Sequence, residues 1–146
     1  MVQPSRLHPR KNVELSIQVT RALQNRDLKA RLLVTGAYDP HEPKTVEYAE
    51  SLIRLSRELG IEKDVLVLAD YQFKDGETLR HDRIIMRDLY LISDILFLPS
   101  WEEGFGIPLL EAGIMKLPVV CSDIPVFREI GKQDVYFFKL DETPER

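Results

Sequence analysis

Two carboxylates flank a glycine-containing turn in the segment PSWEEGFGIPLLEAG, residues 99–113. Glu103 precedes Gly104 and Gly106, and Glu111 follows them inside an apolar run of helical period. Glycine lets backbone N–H groups approach a ligand closely, and the first turn of a helix has N–H groups without internal partners. Such a turn attracts phosphate or sugar oxygens, whereas an ionised carboxylate accepts hydrogen bonds from hydroxyls. The segment therefore predicts a ligand with both phosphates and sugar hydroxyls.

A second candidate site lies near the start of the chain, where Arg6, His8, Arg10 and Lys11 are close in sequence. The whole chain is acidic, with a net charge of −4 and a pI near 5.4, which argues against broad nucleic-acid binding. The cluster is either a solvated basic turn or a place where the protein meets an anion. Lys11 contacts a phosphate, caps the preceding turn or pairs with Glu14, and we favour the phosphate.

Several classes of protein are disfavoured by what the sequence contains. Cys121 is the one cysteine, so no intramolecular disulfide can form, and its apolar surroundings indicate a core residue. The three histidines show no metal-ligand spacing. No apolar run approaches the roughly 20 residues that a membrane span needs, and the N-terminus lacks the core of a signal peptide. We therefore expect a cytoplasmic protein.

Short apolar runs alternate with longer segments of helical period, which predicts an α/β fold. The five runs predicted as strands are 30–36, 64–70, 94–100, 117–123 and 134–140. The segments predicted as helices are 12–26, 45–60, 83–93 and 107–116. This alternation is typical of a single Rossmann-like domain, a parallel sheet with helices on both faces. Ligands of such sheets bind beyond the carboxyl ends of the strands, here 36–39, 70–73, 100–106 and 122–124.

The residues around the glycine turn resemble a known family. EGFGIPLLE, with seven residues between Glu103 and Glu111, resembles the E-x7-E motif of retaining glycosyltransferases of GT-B architecture, called group one or family four. ISDILFLPSWEEGFGIPLLEAGIMKLPVVCSDIPVFREIG extends the resemblance, and SRLHPRKN resembles the donor-phosphate segment of that family. The resemblance covers essentially the whole of 1–146 as one nucleotide-sugar-binding lobe, the C-terminal lobe of a two-lobe enzyme.

The resemblance also implies roles for individual residues. Arg6 and Lys11 would neutralise the diphosphate and stabilise the leaving group, and Glu103 would contact the transferred sugar, although Glu102 could exchange roles with it. Glu111 would bind the ribose hydroxyls. The implied donor-binding set is Gly104, Phe105, Gly106, Ile107 and Glu111. No metal or other cofactor is expected, because Arg6 and Lys11 supply positive charge. The sequence departs from the family at Ser5 and Lys116, where glycine is usual.

The activity that the resemblance implies is transfer of a sugar from a nucleotide-diphospho-sugar, with retention of anomeric configuration, in polysaccharide or glycoconjugate biosynthesis. We expect the N-terminal acceptor lobe and the final helices to be missing, so that the chain alone is inactive. That missing lobe would bind an acceptor glycan or lipid and allow contact with the inner face of the membrane. The alternatives are a non-catalytic nucleotide-sugar-binding subunit that pairs with another chain, and a GT-B-type epimerase.

Overall fold

The computed structural model describes residues 1–37, 39, 41–70 and 83–141. Within these residues, six strands and five helices follow one another. The strands are β1 (Val2–Gln3), β2 (Leu32–Val34), β3 (Val65–Val67), β4 (Leu96–Leu98), β5 (Val119–Ser122) and β6 (Tyr136–Phe138). The helices are α1 (Val13–Gln24), α2 (Pro43–Glu58), α3 (Arg83–Leu91), α4 (Ile107–Met115) and α5 (Pro125–Gly131). Short 3-10 turns occupy Pro9–Lys11 and Leu68–Asp70.

The strands form one parallel sheet in the order β3-β2-β1-β4-β5-β6. This order confirms the predicted Rossmann-like fold and places the reversal of strand order between β1 and β4. The sequence did not predict β1, because two residues give no recognisable periodicity. Val2 nevertheless pairs with Leu33 on one side and Leu96 on the other, so β1 occupies the centre of the sheet.

Helices cover both faces of the sheet, as predicted. One apolar cluster joins α1 and α2 to Leu32 and Val34 of β2. The other joins α3, α4 and α5 to β4 and β5, and Leu33 packs against it. Successive residues of β2 therefore point to opposite faces, as strand geometry requires. Cys121 lies in the second cluster, as expected, and burial raises the pKa of its thiol to about 12.

The residue that follows α2 and the residue that ends α4 have left-handed backbone conformations. Gly60 follows α2 with φ +68°, a left-handed conformation that glycine adopts readily after the end of a helix. Lys116 ends α4 with φ +56°, so the chain keeps the left-handed conformation where the family has glycine and accepts the strain of a side chain there. Within the described part of the chain, none of the helices has the length and hydropathy needed to cross a bilayer.

Candidate functional site

A groove crosses the sheet beyond the carboxyl ends of its strands. The larger part, of about 730 Å³, is lined by the segments that follow β1, β2 and β3 and by α3 and α4. The smaller part, of about 350 Å³, lies against the basic turn after β1. The two parts share the residues Pro4, Ser5, Arg6, Ala37 and Asp39. The groove thus includes the exit of β1 at the reversal of strand order, where sheets of this type bind ligands.

The middle of the groove depends on a close approach between two backbones. The N–H of Gly36 donates to the carbonyl oxygen of Ser5 at 3.0 Å, and the N–H of Leu7 donates to the carbonyl of Ala37 at 3.2 Å. A Cβ on Gly36 would lie 2.4 Å from that Ser5 oxygen and 2.6 Å from Cα of Arg6. Glycine is therefore required at this position, and it holds Arg6 in the shared lining.

Hydrogen bonds from β1 and from the segment after β4 hold the basic turn, Pro9–Lys11, at the smaller part of the groove. Gln3, fully buried at the end of β1, donates from Nε2 to the carbonyl of Lys11 at 2.8 Å and accepts from Ser16 Oγ of α1 at 2.6 Å. The backbone N–H of Trp101, after β4, donates to the carbonyl of Arg10 at 2.9 Å. These contacts fix the turn relative to the exits of both central strands.

Lys11 and Glu103 form an ion pair at this end of the groove. Lys11 Nζ lies 2.5 Å from Glu103 Oε1, and the two side chains are 14% and 10% exposed. Ser100 Oγ donates to the same carboxylate oxygen at 2.9 Å. Glu14 instead accepts from the Tyr48 hydroxyl, so the alternative pairing of Lys11 with Glu14 is wrong.

The neighbouring acid Glu102 does not share this environment. Its side chain is exposed, whereas Glu103 is drawn inward by its two partners. Ser122 Oγ donates to the carbonyl of Ser100 at 2.6 Å, which ties this turn to the adjacent strand β5. The geometry therefore favours Glu103 over Glu102 as the acid that belongs to the site.

Glu111 lies at the opposite end, in the larger part of the groove. The Tyr90 hydroxyl of α3 donates to its Oε2 at 2.7 Å. Burial, and next this hydrogen bond, raise the pKa of the Tyr90 hydroxyl well above its usual range. Among the residues that the structure describes, no hydrogen bond reaches Oε1 of Glu111. One carboxylate oxygen is thus held in place while the other remains available to a ligand.

The predicted glycine turn, residues 104–107, does not line the groove, unlike Arg6, Lys11 and Glu111. Gly106 has φ +76° at the start of α4, and a Cβ there would lie 3.2 Å from Ile130 Cδ1. Gly104 has open space around its Cα, so the fold does not require glycine there. Phe105 and Ile107 are exposed, and none of the residues 104–107 lines the groove. Of the predicted site residues, the structure brings Arg6, Lys11 and Glu111 to the groove, with Glu103 held against Lys11.

Two supporting residues, Gln3 and Tyr90, had not been predicted, because each acts through contacts between segments that are distant in sequence. Gly36, Ser100 and Ser122 fall within predicted strand exits, but their individual roles had not been predicted. The strand exit 70–73, predicted to lie at the ligand-binding edge of the sheet, falls largely outside the described residues. In the part of the chain that the structure does describe, no three His, Cys, Asp or Glu side chains converge as metal ligands. The expectation that no metal is required remains a prediction.

Comparison with known proteins adds a family and a set of structural neighbours. A model of the family described as glycosyl transferases group 1 matches residues 1–143. The serotype-specific mannosyltransferase WbdA of Escherichia coli is 47% identical over 53 residues, which are 36% of this chain and 6% of that protein. The chain spans between 6% and 28% of the length of the curated relatives it matches.

Two solved structures share the fold. The C-terminal domain of the group 1 glycosyl transferase LpcC from Francisella tularensis superposes with a TM-score of 0.76 at 18% identity, covering 99% of this chain and 69% of that one. Anabaena HepE, solved with UDP and glucose, gives 0.76 at 22% identity, covering 99% of this chain and 35% of that one. At these identities the likeness establishes the fold, while the family rests on the sequence match.

Proposed function

The chain belongs to the glycosyl transferases of group 1, and from that premise we propose that it is the donor-binding lobe of a sugar-transferring enzyme. The proposed reaction moves a sugar from a nucleotide-diphospho-sugar to an acceptor with retention of anomeric configuration. The observation that carries the proposal is the groove itself, whose smaller part is lined by the cations Arg6, Arg10 and Lys11 and whose larger part is lined by the carboxylate of Glu111. Asp39 lines both parts and Glu42 lines the smaller one.

The cations suit the diphosphate. Arg6 lines both parts of the groove and Lys11 lines the smaller part. An ammonium group has three N–H donors, so Lys11 can keep its contact with Glu103 and still donate to a phosphate oxygen. As the bond to the sugar breaks, negative charge develops on the departing diphosphate, and fixed cations favour that state over the ground state. We propose that Arg6 and Lys11 perform this role.

The carboxylates suit the hydroxyls of the donor. Glu111 has one oxygen held by Tyr90, which leaves the other to accept from the ribose. Glu103 shares one oxygen between Lys11 and Ser100, and we propose that its second oxygen contacts the transferred sugar. The backbone of 104–107 would then approach the donor from the start of α4, where free N–H groups favour an oxygen ligand.

The substrate class can be narrowed by similarity. WbdA is named a mannosyltransferase, and a further relative, RfbU of Salmonella typhimurium, is named an O-antigen chain mannosyltransferase. We therefore propose a hexosyl donor, with a growing polysaccharide or glycolipid as the acceptor. We further propose that acceptor binding requires a second lobe, so that this chain alone binds a nucleotide without transferring sugar.

Calorimetry with uridine, guanosine and adenosine diphosphates tests the donor site. We expect one of the three to bind the wild-type chain, and Glu111→Ala or Lys11→Ala to weaken that binding roughly tenfold or more. Glu129→Ala and Lys44→Ala, at exposed positions outside the groove, are the matched controls and should bind normally. Unchanged affinity in both site variants would contradict the assignment of the groove.

A transfer assay tests the proposal that acceptor binding requires a second lobe. The purified chain, given candidate nucleotide sugars and a polysaccharide acceptor, is expected to release no more nucleoside diphosphate than a Lys11→Ala control. Sustained transfer by the chain alone would show that the acceptor site lies within these residues. Stable co-purification with a partner chain would instead favour a separate binding subunit.

A further inference from the structure

We propose that the hydroxyl of Ser5 is a ligand for the diphosphate, an inference that rests on the proposed function and adds a donor which the family's usual glycine cannot supply. Ser5 lies two residues after the end of β1 and is 8% exposed. Its Oγ is covered and has no hydrogen-bond partner among the described residues, and no other buried side-chain N or O atom in that part of the chain lacks one.

An unpartnered buried hydroxyl is costly. Buried polar groups are nearly always paired, and an unsatisfied donor or acceptor loses its hydration without compensation. Other buried hydroxyls of this protein show the normal pattern: Ser16 donates to Gln3, Thr20 to a helix carbonyl and Ser122 to Ser100. Ser5 therefore differs from these hydroxyls in having no hydrogen-bond partner among the described residues.

The position of Ser5 identifies the chemistry of its missing partner. Ser5 lines both parts of the groove, beside Arg6 in each and beside Arg10 and Lys11 in the smaller part. Two carboxylates share this lining with the three cations of the smaller part: Glu42, and Asp39, which accepts from the backbone N–H of His41 at 2.9 Å. A ligand atom that enters this stretch meets mainly positive charge, so the hydroxyl is expected to donate to an anionic phosphate oxygen.

The backbone of Ser5 is fixed while its hydroxyl can rotate. Its N–H donates to the Gln3 carbonyl at 3.0 Å, and its carbonyl accepts from Gly36. The side chain has three staggered positions about the Cα–Cβ bond, so the hydroxyl can turn toward a ligand without movement of the chain. A hydrogen bond to the departing diphosphate would assist Arg6 and Lys11 as its charge grows.

Ser5→Ala separates this role from a structural one through two measurements. In the absence of ligand, thermal unfolding should show Ser5→Ala to be as stable as the wild type or more stable, because the hydroxyl has no partner to lose. Calorimetry with the nucleoside diphosphate that binds the wild type best should show affinity weakened roughly tenfold. Ser5→Gly, which restores the family residue, should lose a similar factor in affinity.

Ser51→Ala is the matched control. Ser51 donates to the Tyr48 carbonyl on α2, away from the groove, so its removal should leave nucleotide affinity unchanged. Wild-type affinity in Ser5→Ala, alongside weakened binding in Glu111→Ala, would overturn the Ser5 assignment and leave the donor site intact. A clear loss of stability in ligand-free Ser5→Ala would also overturn it, by revealing a structural partner. Absence of nucleotide binding by the wild type would overturn both proposals.

Discussion

The two ends of the groove hold their carboxylates in different ways. At one end, Glu103 faces the ammonium of Lys11 at 2.5 Å, and both side chains are largely buried. At the other end, Glu111 faces the neutral hydroxyl of Tyr90 at 2.7 Å. Lys11 compensates the charge of Glu103 internally, whereas Tyr90 orients Glu111 without neutralising it.

This difference suggests what each end can offer a ligand. A carboxylate that keeps its charge and has one oxygen free attracts hydroxyl groups, and two neighbouring hydroxyls can both donate hydrogen bonds to it. A lysine already paired with a carboxylate has less net charge, and its remaining N–H groups are held in a defined direction. Arg6 lines both parts of the groove, and no carboxylate of the described residues forms an ion pair with it, so it can supply the positive charge that a diphosphate requires.

Removal of the Lys11 charge, at the end of the groove that holds Glu103, should have the largest effect on stability. Lys11→Met keeps the apolar stem but leaves Glu103 largely buried without its cation. We expect the free energy of unfolding to fall by about 3 kcal/mol, since breaking a buried pair costs more than the pair itself contributes. Urea unfolding followed by circular dichroism measures the loss.

The double variant Lys11→Met with Glu103→Gln sharpens this result. Because it removes both charges, it should recover more than half of the lost stability. A loss below about 1 kcal/mol in the single variant would mean that water reaches the pair freely, as it does in exposed ion pairs. The two ends would then not differ in the way described.

The sequence was sufficient to predict the elements that position these ends, but not the contacts between them. The apolar runs and helical periods predicted the parallel sheet and the order of β2 to β6 and α1 to α4, because each run spans several residues of one period, whereas the short helix α5 was not among the predicted segments. Strand β1, of two residues, was missed although Val2 lies at the sheet centre. The left-handed Lys116 shows that a local preference for glycine can be overridden by the surrounding fold.

In the site, too, residues close in sequence were predicted and contacts between distant segments were not. Glu103 and Glu111 were predicted from one motif because they are close in sequence. The contacts that hold them were not predicted, since Lys11 lies 92 positions from Glu103 and Tyr90 lies 21 positions from Glu111. Gly36 was predicted only as part of a strand exit, and the need for glycine there arises from the backbone of Ser5, which the sequence does not bring near it.

Removal of the Tyr90 hydroxyl, at the end of the groove that holds Glu111, should have an intermediate effect on stability. Tyr90→Phe loses one hydrogen bond, which should lower the free energy of unfolding by about 1 kcal/mol. Because Glu111 is then free to rotate, nucleoside diphosphate affinity should also fall by roughly three- to fivefold. Unfolding and calorimetry on the same samples measure the two effects.

Tyr48→Phe is the matched control for that variant. Tyr48 also donates to a carboxylate, that of Glu14, and accepts from the backbone N–H of Val13 at 2.9 Å, but it does not line the groove. It should lose at least as much stability as Tyr90→Phe and retain wild-type nucleotide affinity. Equal loss of affinity in the two variants would show that Tyr90 acts through general stability.

The smallest expected effect appears at alkaline pH and tests whether Tyr90 remains a neutral donor. Burial, followed by the contact with a carboxylate, raises the pKa of both Tyr90 and Tyr48 in the folded state. As pH rises past the ordinary tyrosine pKa of about 10, the unfolded chain releases these protons while the folded chain keeps them, so stability falls. Each tyrosine should contribute a loss of about 0.8 kcal/mol at roughly pH 10.5.

Urea unfolding between neutral pH and about pH 10.5 separates the two contributions. Tyr90→Phe and Tyr48→Phe should each flatten the alkaline decline by the amount due to one proton, and the double variant by twice that amount. An unchanged decline in Tyr90→Phe would mean that Tyr90 ionises in the folded protein as readily as in the unfolded chain. An ionised Tyr90 would repel Glu111 instead of donating to it, and the second end would lose the neutral contact that distinguishes it from the first.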